Sequence, residues 1–436
     1  MYKRQLQNNG ASVTLLDFSA EPYNEQRFTE ALNSTDMVGM TLLSPSLQQA
    51  KQLLDLVKQT RPDVPVLIGG PHCTLLPKEA LQQAGASVCV IGDGEVVIPE
   101  ITKAFEGKKQ LSDIPGILFR TAQEIKSGLT PELIKNLDNI PFPARLLVKQ
   151  TIYGREYNPS LKAGEFTSII TSRGCPYHCR FCSRNSLSRQ HYRMRSTMNI
   201  IAELKEIQAQ GYRHVAIVDD CFPVNRTQAS ELFDAVIHEG LSLTFSVTAT
   251  RVDLADEDLY EKMRTAGVIH LQFGLESGNQ EVLDYYNKQM TIKDIFTALR
   301  LSNQNGFFTM GSFILGAPFE TKKNFQQTVS FAKSLPLDSV SFLPLRYMVG
   351  SELWHQAVHE GKINEKEYLV VADKTRGLGL YTKEELITFC TNAQRSFYSR
   401  PAFFVNLLKK SLKNNDMTFV KSYLSILFSS MKKESV

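Results

Sequence analysis

The chain has 436 residues, 42% apolar and 22% charged, with 25 glycines and 18 prolines, which excludes collagenous, mucin-like and largely disordered chains and allows roughly two or three domains. Its net charge of +4 is too small for a nucleic-acid footprint, and neither a spanning apolar run nor the apolar stretch of a secretory signal is present. Seven cysteines, an odd number with three crowded into one loop, fit a cytoplasmic, reducing compartment and metal ligation better than a disulfide framework.

Strand-length apolar runs at 13–18, 37–43, 64–70 and 87–91 alternate with helical spacing at 46–60, 78–84 and 96–105. Buried strands alternating with helices predict an α/β, doubly wound, Rossmann-like parallel sheet over residues 1–125. Residues 2–10 already read as the helix before the strand at 13, so the usual opening strand is missing. Residues 126–165, interrupted by Pro141 and Pro143, read as a linker. A second series then places strands at 166–172, 214–219, 244–250, 269–275, 310–315 and 340–345. Six such repeats over 166–350 predict a partial (β/α)6 TIM-like barrel or part of a closed one.

Residues 351–436 read as a helical extension with no further strand. Six of the chain's lysines lie beyond residue 400, against Asp416 and Glu434. There, Phe419, Val420, Tyr423, Ile426, Leu427 and Met431 form one apolar helical face flanked by Lys421, Lys432 and Lys433. Such a face docks on its own domain or makes peripheral contact with an anionic membrane surface.

The loop after the first strand of the second series sets Cys175, Cys179 and Cys182 at C-x3-C-x2-C, on the functional face of a parallel barrel. Three thiolates hold three irons of a 4Fe-4S cubane and leave the fourth open. A zinc site recruiting His178 or Cys221 as fourth ligand is the alternative. Cys73, Cys89 and Cys390 lack such spacing and read as small apolar residues.

The cysteine loop, with Phe181 before its last cysteine, resembles the signature of the radical S-adenosylmethionine (SAM) superfamily. Segments 218–220, 273–278 and 311–320 resemble that family's SAM-contact segments, in order and at strand ends. The resemblance implies reductive cleavage of SAM to methionine and a 5′-deoxyadenosyl radical, with the electron arriving from a donor such as flavodoxin or ferredoxin. It implies SAM contacts at Phe181, Asp219, Asp220, Arg251, Glu276, Gly311 and Gly316. Segments 67–72 and 91–95 and the linker 137–143 resemble the cobalamin-binding domain found upstream of such barrels. That likeness makes Ser44, Gly69, Gly70, Gly94 and Glu95 candidate cobalamin contacts. The Asp-x-His-x-x-Gly motif of histidine-ligating domains is absent, so His72 is not expected to bind cobalt. Segment 395–401 resembles part of the family's carboxyl-terminal extension and is expected to pack over the site or its rim.

The family reading implies methyl transfer from methylcobalamin to an unactivated carbon of a small-molecule or lipid substrate. Ring formation or rearrangement with a vestigial cobalamin domain is one alternative, and a non-catalytic cobalamin or iron–sulfur binding module another.

Overall fold

The computed structural model describes residues 2–155 and 161–413 together with Met417 and Val420. A five-stranded sheet comes first, in the order β1 (Val38–Thr41), β2 (Val66–Gly69), β3 (Val88–Val90), β4 (Ile117–Arg120), β5 (Ile125–Ser127). Its strands alternate side chains between two cores. Val66 and Ile68 join Leu54, Val57 and Leu81 on one face, and Leu67 joins Val97, Ile101 and Ile117 on the other. Burial on both faces is what short, continuously apolar strands require.

Two expectations are corrected here. The sheet is parallel only through β3, because β4 and β5 form an antiparallel hairpin at its edge, and that hairpin runs across residue 125. Residues 13–18 form no strand. The segment ahead of them is the helix Tyr2–Asn8, and β1 is the last strand on that side. With no strand between to offer a hydrogen-bonding ladder, Leu16 and Phe18 only pack against the first core.

The second sheet is wholly parallel and ordered β13-β12-β11-β10-β9-β6. Its members are β6 (Phe166–Ile169), β9 (His214–Ile217), β10 (Thr244–Thr250), β11 (Val268–Glu276), β12 (Phe308–Leu315) and β13 (Ser339–Pro344). Between β6 and β9 lies a small ladder of β7 (Ser172–Arg173) and β8 (Arg193–Met194). The six strands pack with their connecting helices around a large core that includes Phe245, Leu271, Phe273 and Phe313 with Leu204, Leu259 and Ile295. β6 and β13 do not pair, so the barrel is partial and open at one side.

The extension contains a strand where none was expected, β15 (Leu369–Val371), which pairs antiparallel with β14 (Arg346–Met348) at the end of the barrel. Three-residue strands are too short to show a period. The helix Lys383–Tyr398 then lies along β13. At its end the Tyr398 hydroxyl accepts from the Val340 N–H (3.0 Å) and donates to the Val340 carbonyl (2.9 Å), satisfying edge-strand backbone that has no neighbouring strand. The helix Pro401–Lys413 follows, and its Lys410 pairs with Asp338. The amphipathic face of 419–431 lies outside the described residues except for Val420. No helix among the described residues is long and apolar enough to cross a membrane.

Candidate active site

The cysteine loop begins at Gly174, whose φ is +87° and where a Cβ would stand 2.1 Å from the His191 carbonyl oxygen. Only glycine permits that turn. The Cys182 N–H donates to the Cys179 carbonyl at 3.0 Å. Outside the turn, Arg180 anchors the loop by donating to Glu352 (2.7 Å) and Gln356 (3.0 Å) and by lying 4.6 Å from the Tyr285 ring. Asn287 Nδ2 donates to the His178 carbonyl at 2.9 Å.

The three loop thiols are half-buried. A side-chain hydrogen bond with buried Cys221 brings the Cys175 thiol down to about 7, against the opposing effect of burial. Burial pushes Cys179 up to about 11 and raises Cys182 as well. Among the described residues no three His, Cys, Asp or Glu side chains converge on one metal position, and the exposed His178 ring is engaged by Asn185 at 3.0 Å. A tetrahedral zinc site needs that convergence. A cubane takes one thiolate on each of three irons, and the three half-buried thiols of this loop supply that donor set.

Around the loop, the Phe181 ring meets Tyr286 edge-on at 5.2 Å, and Lys288 Nζ lies 6.0 Å from its centroid. Asp220 accepts from the Gly174 N–H (3.1 Å) and from Arg184 (3.0 Å), with 24% of its side chain still exposed. Glu276 has φ +59° where the pairing of β11 with β12 shifts register. It accepts from Lys288 at 2.6 Å. Burial works against the Lys288 charge, but the Glu276 carboxylate beside it holds the ammonium above its ordinary pKa.

Two of the expected SAM contacts have partners within the protein. Asp219 is 4% exposed and is taken up by the Thr171 N–H (2.7 Å), the Thr171 hydroxyl (2.5 Å) and the Ser172 hydroxyl (2.6 Å). Burial raises its carboxyl to about 6, and its work is to hold β7 beside β9. Arg251 spends its fork on Asp253 (2.7 and 3.0 Å) and on the Lys288 and Gln289 carbonyls (3.2 and 3.1 Å), lying 3.6 Å over the Tyr177 ring. These bonds take four of its five N–H groups and leave one, on Nη1.

Gly311 and Gly316 are packed against side chains, where added Cβ atoms would stand 2.8 Å from Leu275 and 3.0 Å from Leu386. In the same segment Glu320 is fully buried, its Oε2 accepting from the Gly316 and Ala317 N–H groups (2.8 and 2.7 Å) while Oε1 has no partner. Burial pushes its carboxyl up to about 7.

The first sheet meets this face through ion pairs. Asp93 takes Arg173 at 2.9 Å and Arg193 at 2.5 Å, and Glu95 takes Arg173 at 2.5 Å. Glu95 is thereby committed to the barrel. Ser44 Oγ lies 3.0 Å from His72 Nδ1, and the Gly94 carbonyl accepts from the Ile98 N–H at 2.9 Å. At Gly70, φ is +95° and a Cβ would stand 2.8 Å from Thr41; at Gly69 it would stand 3.6 Å from Val90. These glycines serve sheet packing more than an open cradle. His72 is fully buried with its ring edge-on to Tyr368 at 4.8 Å, its Nδ1 facing Ser44 and its Nε2 without a hydrogen-bond partner.

What fits a macrocycle is the rim of the sheet. Leu43, Val96 and Leu129 lie in the segments that follow β1, β3 and β5 and are 46%, 60% and 57% exposed. Large apolar residues left uncovered match an apolar ligand. The rim, Arg173, Arg193 and Lys288 were missed from sequence. The one signal available was the charge opposition between Asp93 with Glu95 and the arginines flanking the cysteine loop.

Residues 169–332 match the sequence model of the Radical SAM superfamily, and residues 1–102 match that of the B12 binding domain. The chain belongs to the radical SAM superfamily and carries its cobalamin-binding domain. This radical SAM enzyme is 28% identical over 375 residues to an uncharacterized methyltransferase of Pyrococcus horikoshii, covering 85% of this chain and 80% of the relative. It is 26% identical over 403 residues to an anaerobic magnesium-protoporphyrin IX monomethyl ester cyclase of Cereibacter sphaeroides, covering 89% of this chain and 64% of the cyclase. Its fold superposes with a TM-score of 0.68 on the radical SAM methyltransferase TsrM of Kitasatospora setae, solved with cobalamin and a 4Fe-4S cluster, at 21% identity over 82% of this chain and 71% of that one. The family brings the cluster, SAM and cobalamin as cofactors. Cys175, Cys179 and Cys182 fit the first, and the exposed apolar rim fits the last.

Proposed function

We propose that this radical SAM enzyme transfers a methyl group to an unactivated carbon of a small-molecule substrate, with a low-potential donor of the flavodoxin or ferredoxin class supplying the electron. The observation that carries the reading is the joining of the cysteine loop to the cobalamin-type sheet by Asp93 and Glu95 through Arg173 and Arg193. Bound cofactors would supply a carbon radical from SAM and a transferable methyl group from cobalamin.

The chain's own contribution is to hold and shield. Cys175, Cys179 and Cys182 are placed to ligate the cluster, and Asp220, part-exposed beside Gly174, is available to the SAM amino group. Glu276, oriented by Lys288, faces the same end of the sheet. Relatives that are methyltransferases support this reading, whereas cyclase relatives support ring formation at the same site.

One assay separates the two. Protein reconstituted anaerobically with iron, sulfide and cobalamin is given reductant, methyl-labelled SAM and candidate substrates. Methyl transfer requires 5′-deoxyadenosine and S-adenosylhomocysteine in equal amounts with label in the product. Ring formation yields 5′-deoxyadenosine alone. A preparation that takes up zinc and no iron, and cleaves no SAM, overturns both.

A further inference from the structure

At the open side of the barrel, β13, the β14–β15 pair and the helix Lys383–Tyr398 enclose a groove of about 610 Å³. Its apolar wall is Phe342, Pro344, Val371 and Ile387. Its polar lining is cationic: Arg346, Lys383 and Arg395 border it, and none of the three has an ion-pair or side-chain hydrogen-bond partner among the described residues. Lys383 and Arg395 stand twelve positions apart on one helix, so the groove is elongated, with its cations ~18 Å apart along the helix axis. Its upper end, at Pro344 and Arg346, lies at the carboxyl ends of the parallel strands, the end that carries the cysteine loop. Tyr398 fixes the helix to the Val340 backbone, so the groove is a permanent part of the fold.

Unpaired cations beside apolar surface are complementary to an amphiphilic anion. We infer that this groove seats the substrate of the proposed reaction, and that the substrate is an elongated molecule with an apolar body and anionic groups towards its ends. The inference rests on the reaction proposed above for the function of the site, while the groove itself is observed independently of it.

The test uses reconstituted full-length protein, calorimetric titration, and a matched pair of probes, hexadecanedioate and its uncharged dimethyl ester. The dianion should bind, with affinity falling about tenfold or more between low and high salt, and the ester should bind at least tenfold more weakly. Arg346→Gln and Arg395→Gln should each weaken the dianion and leave the ester unchanged, with unchanged thermal melts. Lys383→Gln, at the exposed helix start, serves if either arginine variant fails to fold. Equal binding of both probes, or full dianion binding by the variants, overturns the assignment. SAM cleavage is measured in the same preparation without substrate. Cleavage without dianion binding removes the groove and leaves the reaction standing, while dianion binding without cleavage does the reverse.

Discussion

Asp93→Asn tests how the two domains are held together. The Asp93 carboxylate serves Arg173, Arg193 and the Ile134 N–H (3.0 Å), with side-chain exposures of 11%, 15% and 10% for Asp93, Arg173 and Arg193. An amide of the same shape keeps one acceptor and loses the charge. Removing one partner of a buried ion pair costs about 3–5 kcal/mol. Here Glu95 still holds Arg173 (2.5 Å), and the Ile134 carbonyl still accepts from Arg193 (2.7 Å). The expected loss is therefore ~2–3 kcal/mol, or roughly thirty- to a hundredfold in the docking equilibrium. Burial raises the Asp93 carboxyl, but Arg193 and Arg173 outweigh it and hold it below the usual carboxylate range. Its contribution is thus complete above the ordinary carboxylate pKa and disappears as pH falls through the lowered one, so wild type and variant should converge in acid. Hydrogen exchange should quicken in segments 92–95 and 191–195 at neutral pH, with weaker cobalamin retention. Unchanged exchange and retention at neutral pH would refute the clamp.

Three further substitutions probe single buried groups. Glu320 sits near 7 against an ordinary 4.5, so the folded protein binds the extra proton and stability should fall by ~3 kcal/mol as pH rises through that interval. Glu320→Gln should flatten that slope in denaturation curves, and a slope equal to wild type would show that burial is not the cause. Lys288→Met leaves Glu276 buried without its cation and should lower the melting temperature strongly, while Lys288→Met with Glu276→Gln should recover part of the loss; no recovery would mean that the pair is not coupled. His72→Ala should lower stability, since it empties a fully buried site and strands Ser44, yet leave the spectrum of bound cobalamin unchanged. A shift from a nitrogen-ligated to an unligated spectrum would place the imidazole on cobalt.

Legibility in the sequence followed the range of the interaction. The cysteine spacing is local and gave the candidate cluster ligands directly, and the barrel strands showed through their short apolar runs, such as Val215–Ile217 and Leu271–Leu275. Asp219 and Arg251 stand at the strand ends where they were expected, and their partners within the protein were not foreseen. Asp253, two residues on, is a local partner of Arg251, but Asp219 meets Thr171, 48 residues away, and Arg251 also meets the Lys288 and Gln289 carbonyls, 37 and 38 residues away, and no spacing rule reaches that far. Residues 13–18 carried a sound strand pattern and failed for another reason. A strand is a property of a pair, and propensity in one segment does not supply its neighbour.

The Tyr398 hydroxyl has a consequence beyond fixing a helix. A barrel that stops at six strands exposes the kind of unpaired ladder on which foreign strands nucleate, and a closed barrel avoids this by sacrificing its side entrance. One phenol, occupying both backbone groups of Val340, blocks continuous pairing along β13 while leaving the space beside it free. The protein can therefore keep a permanent doorway without inviting edge-to-edge aggregation, and the guard is a side chain from a helix rather than another strand.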